Sequence, residues 1–179
     1  MSDEIIPDDK NWTWVLEKPC GDCGFDSSVF DATKAGDAIR DQAKRWSTVL
    51  QQTNAVVRPR PGMWSPLEYG CHVRDVFKKF DERVQLMISQ IDPQFENWDQ
   101  DKTAVDDDYA SQVPATVMQQ LTEAAESLAG SFDSVASEQW QRRGFRSDGS
   151  VFTVESLARY LMHDPIHHLW DVGADVPVY

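Results

Sequence analysis

The stretch V-E-S-L-A-R-Y-L-M-H-D-P-I-H-H-L-W-D-V, from Val154 to Val172, is predicted to form a mostly apolar helix that carries three of the chain's four histidines. His163 and His167 are four residues apart. On a helix of about 3.6 residues per turn they therefore lie one turn apart and only about 40° apart around the axis. Two imidazoles in this arrangement can point at one ion, and an ion such as zinc needs at least one more protein ligand. The fourth histidine, His72, belongs to another predicted helix, so we predict a site formed by His72, His163 and His167.

Three further helices are predicted around this one. The first begins after Asp26 or Ser27 and ends by Asn54, with apolar residues from Val29 onward recurring at three- and four-residue steps. The second opens at Trp64-Ser65-Pro66, where a serine cap, a proline at the first helical position and Glu68 form a capping box. His72 falls on the apolar face of that second helix.

The third predicted helix starts near Pro114, and the fourth starts at about Thr153, with Thr153 or Ser150 as its cap. No segment shows convincing two-residue alternation, so we expect almost no strand. The polar connection from Ile91 to Tyr109 is long for a compact domain, which indicates a functional or partly mobile segment. These features predict an all-α four-helix bundle at residues 27–179, preceded by an irregular N-terminal arm at residues 1–26.

The composition restricts the partners of the chain. Its formal net charge is −13, which disfavours nucleic acid and anionic membrane surfaces. No apolar run approaches the roughly 20 residues of a membrane span, and the N-terminus lacks the basic start and apolar middle of a signal peptide. Three cysteines do not make a disulfide framework, so we expect a cytoplasmic protein. Aromatic residues such as Trp98 and Trp140 suggest a homodimer.

The pair Cys20-x-x-Cys23 lies in the arm, within P-C-G-D-C-G-F-D. It could be half of a zinc knuckle, but no second pair of this kind follows it in the sequence. A redox pair would need a thioredoxin-like strand-to-helix setting, which the pattern does not indicate. The interpretation that we favour is two small residues in a tight turn.

Other residues near the histidines allow alternative sites. His168 lies about 100° further round the helix than His167, so we expect it to face away from the shared ion and toward Asp164 and Leu161, either in a structural role or in contact with a ligand. Pro165 removes a helical hydrogen bond and should bend the helix. The segment H-D-P-I-H is similar to the metalloprotease motif H-E-x-x-H, with Asp164 in place of the glutamate base, although no third ligand follows it. A di-iron site is not predicted, because no Glu-x-x-His pair occurs.

Together, W-S-P-L-E-Y-G-C-H-V at residues 64–73 and H-x-x-x-H late in the last helix resemble the DinB/YfiT-like superfamily. That group includes the metal-binding domain of mycothiol-dependent maleylpyruvate isomerase. The resemblance spans roughly Phe25 to Asp171. It implies an up-down-down-up four-helix bundle and a divalent metal held by three residues, which map to His72, His163 and His167. Members of known activity mostly use a low-molecular-weight thiol such as mycothiol or bacillithiol in isomerase or S-transferase reactions. The cysteine pair and Pro165 lie outside the family's pattern.

The leading hypothesis is therefore a metal-dependent enzyme whose ion activates a thiol or water for a reaction on a small molecule. Zinc is the expected metal, although imidazole also suits nickel and iron. Tyr69, Asp164 and Tyr160 lie within a turn of the predicted ligands and are candidates for contacts to ligands or substrate. Two rival hypotheses are a non-catalytic bundle stabilised by a metal, with Cys71 or Asp164 as a fourth ligand, and a hydrolase that uses Asp164.

Overall fold

The structure is a computed structural model that describes residue 5 and residues 10–179. Residues 1–4 and 6–9, which belong to the predicted N-terminal arm, lie outside the described residues. The described part contains five α-helices: α1 (Ala35–Leu50), α2 (Pro66–Ser89), α3 (Gln100–Asp106), α4 (Pro114–Asp133) and α5 (Val154–Asp171).

Four of these helices, α1, α2, α4 and α5, form the predicted bundle. Helix α4 packs against α1 and α2, and α5 packs against the same two helices from the other side. Around the bundle the order is therefore α1, α4, α2, α5, which places α1 diagonally opposite α2 and α4 diagonally opposite α5. The core between them is filled by fully buried side chains such as Trp46, Phe77, Leu121 and Leu161. One contact fixes α1 on α5, since the indole N–H of Trp46 donates to the carbonyl of Pro165 at 3.2 Å.

The first helix is shorter than the sequence predicts. A 3₁₀ turn at Ala32–Lys34 precedes α1, and Asp31 caps that turn by accepting from the backbone N–H of Thr33 at 3.0 Å. Val29, the first residue of the apolar repeat, is 67% exposed. The Asp31 cap starts the helical turns later than the predicted Asp26 or Ser27.

Helix α2 begins as predicted, because its capping box is complete. The Ser65 hydroxyl accepts from the backbone N–H of Glu68 at 3.2 Å, and the Glu68 carboxylate accepts from the backbone N–H of Ser65 at 2.8 Å. The Glu68 side chain is buried and also accepts from Nε of Arg58 at 3.0 Å. This cap fixes the start of the helix that carries His72 about two turns later.

The expectation of almost no strand is wrong. A three-stranded sheet forms from β1 (Gln94–Phe95), β2 (Arg143–Arg146) and β3 (Val151–Thr153). Strand β2 lies in the centre, parallel to β1 and antiparallel to β3. Gly144 allows β2 to pack closely, because a Cβ there would lie 2.7 Å from the Phe95 ring and 2.8 Å from Met87.

The long polar connection is ordered rather than an open loop. It contains β1, α3 and a 3₁₀ turn at Tyr109–Ser111, and it runs back across α2. Trp98 in this connection stacks on His72, while Trp140 stacks on Phe132 with ring centroids 6.3 Å apart. Both indoles therefore have partners within the chain, and the homodimer stays a prediction.

Among the described residues, no helix combines the length and apolar character that crossing a bilayer would require.

Candidate metal centres

Helix α5 presents two pairs of potential metal ligands side by side. His163 and His167 form one pair with a spacing of four residues, and Asp164 and His168 form the other. Because neighbouring residues diverge by about 100° around a helix, the two pairs face different directions. Each pair meets different residues from the rest of the chain, which gives two separate groups.

The first group consists of His72, Asp164 and His168, and we call it the His72 group. Each residue offers one ligand atom, and these atoms lie within 4.8 Å of one another. The Nε2 atom of His72 lies 3.4 Å from the Asp164 carboxylate, and Nε2 of His168 lies 3.9 Å from the same carboxylate. Two imidazoles and a carboxylate are a donor set that zinc, nickel and iron all accept.

A fourth residue orients this group. Nδ1 of His168 lies 2.7 Å from a carboxylate oxygen of Asp171, one helical turn further along α5. A carboxylate that accepts from one ring nitrogen directs the lone pair of the other nitrogen outward, which is the usual arrangement behind a metal-ligating histidine. Asp171 therefore turns Nε2 of His168 toward Asp164.

Asp164 carries a negative charge at neutral pH, which favours binding of a cation. Burial alone would raise the pKa of this carboxyl, but the facing imidazoles of His72 and His168 outweigh burial and lower the pKa below its usual value. The carboxylate is therefore ionised at neutral pH. One of its oxygens is buried without a hydrogen-bond partner among the described residues. A buried, ionised oxygen that faces two imidazole nitrogens but accepts no hydrogen bond within the described part of the chain fits a bound cation.

Aromatic rings hold His72 in place. The Trp98 ring stacks on it with centroids 5.6 Å apart and planes 3° apart, and the Trp64 ring lies 5.5 Å away. His72 is fully buried, and its Nδ1 has no hydrogen-bond partner among the described residues. Its Nε2 therefore carries the polar contact of the ring, which is directed at Asp164.

A cavity of about 600 Å³ opens onto this group. Asp164, His168, Trp98 and Tyr160 line it, together with the arginines Arg83 and Arg146. A cavity of this size holds a small molecule. The cavity also reaches His163 and His167, so it passes beside both pairs on α5.

The two arginines differ in how their charge is balanced. Arg146 pairs with Asp148 at 2.8 Å, and the hydroxyl of Tyr160 accepts from it at 3.4 Å. Arg83 is equally buried but donates to the backbone carbonyl of Glu96 at 3.1 Å, and its Nε has no partner among the described residues. Burial, together with the nearby Arg146 cation, lowers the pKa of Arg83 to about 10, so Arg83 remains charged at neutral pH. The cavity thus contains a cation without a carboxylate partner in the described part of the chain.

The second group consists of Cys20, Cys23, His163 and His167, and we call it the cysteine group. One ligand atom from each residue lies within 4.8 Å of the others. The Sγ atom of Cys20 is 3.6 Å from Nδ1 of His167, and Nε2 of His163 is buried with no hydrogen-bond partner among the described residues. Burial lowers the pKa of His163 to about 4 and raises the pKa of Cys23 to about 12, so both are neutral when no ion is bound.

The N-terminal arm carries the cysteines to α5. A 3₁₀ helix at Trp12–Leu16 docks on α5 through the fully buried Val15. The ring of Trp12 lies 5.3 Å from His163 and 5.1 Å from His167. The chain then turns tightly, as the sequence indicated, with the N–H of Gly24 donating to the carbonyl of Cys20 at 3.0 Å. Gly24 takes a φ of +76°, which favours glycine.

The structure brings two of the three predicted ligands together and places the third elsewhere. His163 and His167 are adjacent, with ring centroids 4.9 Å apart, but His72 groups with Asp164 and His168. His168 faces Asp164, as expected, with its Nε2 3.9 Å from the carboxylate. The expectation that it also faces away from His72 is wrong, because the two ring centroids lie 5.0 Å apart.

The remaining site candidates lie close to these groups. The Tyr69 ring packs on His168 with centroids 4.7 Å apart, and Tyr160 lines the cavity. Cys71 is buried and directed at Gln112 and the carbonyl of Tyr109, so it belongs to neither group. Sequence reasoning did not single out Asp171 or Arg83. The spacing of Asp171, three residues after His168, could have identified it, whereas nothing in the sequence marks Arg83.

A four-helix bundle with imidazole and carboxylate donors on two facing helices defines a candidate metalloprotein of the helical-bundle class. The chain belongs to the DinB superfamily, since the sequence model of that family matches residues 40–172. The resemblance seen in the sequence is thereby confirmed. No curated protein matches the chain.

The fold is also similar to a solved structure, that of YfiT from Bacillus subtilis, described as a probable metal-dependent hydrolase with an unusual four-helix bundle topology. The two superpose with a TM-score of 0.66 at 15% sequence identity, over 96% of this chain and 95% of YfiT. This similarity establishes the shared fold.

Proposed function

We propose that the chain is a metal-dependent enzyme whose divalent ion is held by His72, Asp164 and His168. The observation that carries the proposal is the convergence of these three side chains at the wall of a cavity of about 600 Å³. This set replaces the one expected from the sequence, with Asp164 and His168 in place of His163 and His167. Three protein ligands leave coordination positions open, as catalytic sites do.

A divalent ion in this position would lower the pKa of a thiol or water molecule and so provide a nucleophile at neutral pH. Neighbouring residues hold the proposed ligands in position. Asp171 holds the tautomer and direction of His168, and the stacked ring of Trp98 holds His72. Asp164 serves as a ligand in this proposal, so it is not the free base of the hydrolase that was considered from the sequence.

The substrate in this proposal is a small anionic molecule. Arg83 supplies a buried positive charge in the cavity, and its guanidinium has donors to offer a carboxylate or phosphate group. Arg146 also lines the cavity, but it is already paired with Asp148. Its positive charge therefore attracts an anion less strongly than that of Arg83. An anion bound at Arg83 would lie in the same cavity as the open face of the His72 group.

We take a low-molecular-weight thiol of the mycothiol or bacillithiol type as the leading nucleophile, because a cavity of about 600 Å³ accommodates a thiol and its acceptor together. The reaction would then be an S-transfer or an isomerisation. Water is the second candidate, which would make the chain a hydrolase. Two histidines and a carboxylate are also a ligand set of zinc hydrolases, and YfiT is described as a probable metal-dependent hydrolase.

The experiment uses the full chain without a histidine tag, loaded with zinc or nickel. Loss of thiol from solution and hydrolysis of carboxylate-bearing esters are measured in parallel for the parent and for His72→Ala. The proposal expects one of the two reactions in the parent and at least a 100-fold loss in His72→Ala. The proposal would be contradicted if His72→Ala bound as much metal as the parent and reacted at the same rate.

A further inference from the structure

A second cluster of ligands lies beside the candidate active site and shares no residue with the His72 group. The cysteine group has two thiols from the arm and two imidazoles from α5, and none of the four is needed by the proposed reaction. All four residues are buried, with exposed fractions of 2% for Cys20, 9% for Cys23, 4% for His163 and 8% for His167. A set of two sulfurs and two nitrogens is typical of structural zinc sites.

We propose that Cys20, Cys23, His163 and His167 bind a second, structural metal ion, with zinc as the expected occupant, which fastens the N-terminal arm to α5. Zinc–sulfur bonds of about 2.3 Å and zinc–nitrogen bonds of about 2.0–2.1 Å, at a tetrahedral angle, require sulfur and nitrogen to be about 3.6 Å apart. In the structure, Sγ of Cys20 lies 3.6 Å from Nδ1 of His167. This pair therefore already has the spacing of two ligands of one ion.

The surroundings of the thiols also match such a site. The turn of Cys20-x-x-Cys23 is closed by hydrogen bonds from Gly24 N–H to the Cys20 carbonyl at 3.0 Å and from Cys20 N–H to the Phe25 carbonyl at 2.9 Å. The backbone N–H of Phe25 is directed at the sulfur of Cys23, where it would stabilise a thiolate. A turn of this kind presents both sulfurs on one side, and His163 adds a nitrogen that has no other partner among the described residues.

Charge and coordination number separate this site from the His72 group. Binding releases one proton from each thiol, and two thiolates then neutralise the dication, so that no net charge is buried. Four protein ligands fill a tetrahedral zinc and leave no position for a substrate. The site therefore serves stability, by holding Trp12 against the two histidines and by fixing the rotation of α5 about its axis.

The test measures metal content and the cobalt spectrum of the full, untagged chain, together with three variants. Cys20→Ser/Cys23→Ser removes the cysteine group, His72→Ala/His168→Ala removes the His72 group, and Cys71→Ser is the matched control at a buried thiol outside both. We expect two ions per chain in the parent and in Cys71→Ser, and one in each double variant. The sulfur-to-cobalt absorption should disappear in Cys20→Ser/Cys23→Ser and persist in His72→Ala/His168→Ala.

The outcomes distinguish the two sites. One ion per chain with sulfur-to-cobalt absorption would support the cysteine group and contradict the proposed function. A parent without that absorption, or a Cys20→Ser/Cys23→Ser variant that still binds two ions, would overturn the inference made here. If the cysteine variant does not fold, alkylation of the zinc-loaded parent decides: a chelator should expose Cys20 and Cys23 to the reagent while Cys71 remains protected. No increase in alkylation on chelation would overturn the site.

Discussion

His167 and His168 are consecutive in the chain, yet their imidazoles belong to different groups, with ring centroids 6.0 Å apart and planes 74° apart. Consecutive residues on a helix diverge by about 100°, so one ring turns toward the arm and the other toward α2. The two groups share a helix but no ligand. Substitutions can therefore test each group separately.

Asp171→Asn should weaken metal binding at the His72 group without changing a ligand. The carboxylate accepts from Nδ1 of His168 at 2.7 Å and is largely shielded from solvent. Losing such a partner typically lowers metal affinity by about 10- to 100-fold. The measurement is a competition titration in the Cys20→Ser/Cys23→Ser background, where the His72 group alone is counted.

Asp175→Asn is the matched control for that change, because its side chain is 95% exposed and pairs with Arg45 on the surface. Its metal affinity should equal that of the parent. If Asp171→Asn binds metal as tightly as Asp175→Asn, then Asp171 does not position His168.

Arg83→Met should weaken anion binding in the cavity while leaving the fold as stable as before, or more stable. The buried guanidinium has no carboxylate partner in the described part of the chain, so an apolar side chain removes an unfavourable charge. Losing a charge-assisted hydrogen bond of about 1.5–3 kcal/mol weakens binding by about 10- to 100-fold. Calorimetric titration with succinate measures the binding, and thermal melting measures the stability.

The control for the arginine change is Arg143→Met, whose side chain is 56% exposed and pairs with Asp92. It should bind succinate like the parent. Equal succinate binding by Arg83→Met and the parent would rule out Arg83 as the anion contact.

Gly24→Ala and Gly130→Ala should have opposite effects on stability. Gly24 has a φ of +76°, and an alanine there costs about 1–2 kcal/mol of unfolding free energy. Gly130 lies within α4, and a methyl group at its Cα would meet nothing within 4 Å, so alanine should add about 0.5–1 kcal/mol. Urea unfolding of both variants measures the difference, and a stabilised Gly24→Ala would show that the turn at the cysteines does not form as described.

The protein should lose stability in acid as the buried Glu68 carboxylate becomes protonated. Burial raises the pKa of Glu68, but hydrogen bonds from Arg58 and the Ser65 backbone outweigh it, so the folded-state pKa lies below the ordinary value of 4.5. The unfolded chain therefore takes up the proton first as the pH falls. The stabilisation from Glu68 is complete above pH 4.5 and is lost as the pH drops through the folded-state pKa.

Glu68→Gln should consequently lower the unfolding free energy by about 1–3 kcal/mol at neutral pH and by less in acid. Unfolding with urea at about pH 7 and about pH 3 measures this change. Glu82→Gln, whose side chain is 62% exposed, is the control and should change neither value appreciably. A constant difference between Glu68→Gln and the parent at both pH values would refute the assignment.

The helices could be predicted from the sequence wherever a local hydrogen bond marks the end of an element. Ser65 caps α2 together with Glu68, and Thr153 caps α5 together with Ser156. In each cap the two residues are three positions apart, so the local sequence is enough to reveal it. The sheet could not be found in this way, because β1 pairs with β2 across about fifty residues and each strand is very short. The turn at Asp148–Gly149 was the available sign of the β2–β3 hairpin.

The sequence was enough to predict that the histidines of α2 and α5 form candidate ligands, but not which of them lie together. Two pairs on α5 have the same spacing of four residues, and spacing alone does not say which pair faces α2, because the rotation of α5 depends on packing. The Trp46 contact to the Pro165 carbonyl belongs to that packing and is not visible in the sequence. The approach of Cys20 and Cys23 to His163 and His167 was equally hidden, since it depends on where the arm docks.

The segment matched by the superfamily begins at residue 40, so half of the cysteine group's donors come from a part of the chain outside it. In the proposed second site, His163 and His167 supply only two of the four ligands. Across evolution, we therefore expect positions 20, 23, 163 and 167 to be inherited or lost as one unit. Positions 72, 164 and 168 should follow a separate history, which an alignment of relatives with and without the arm would reveal.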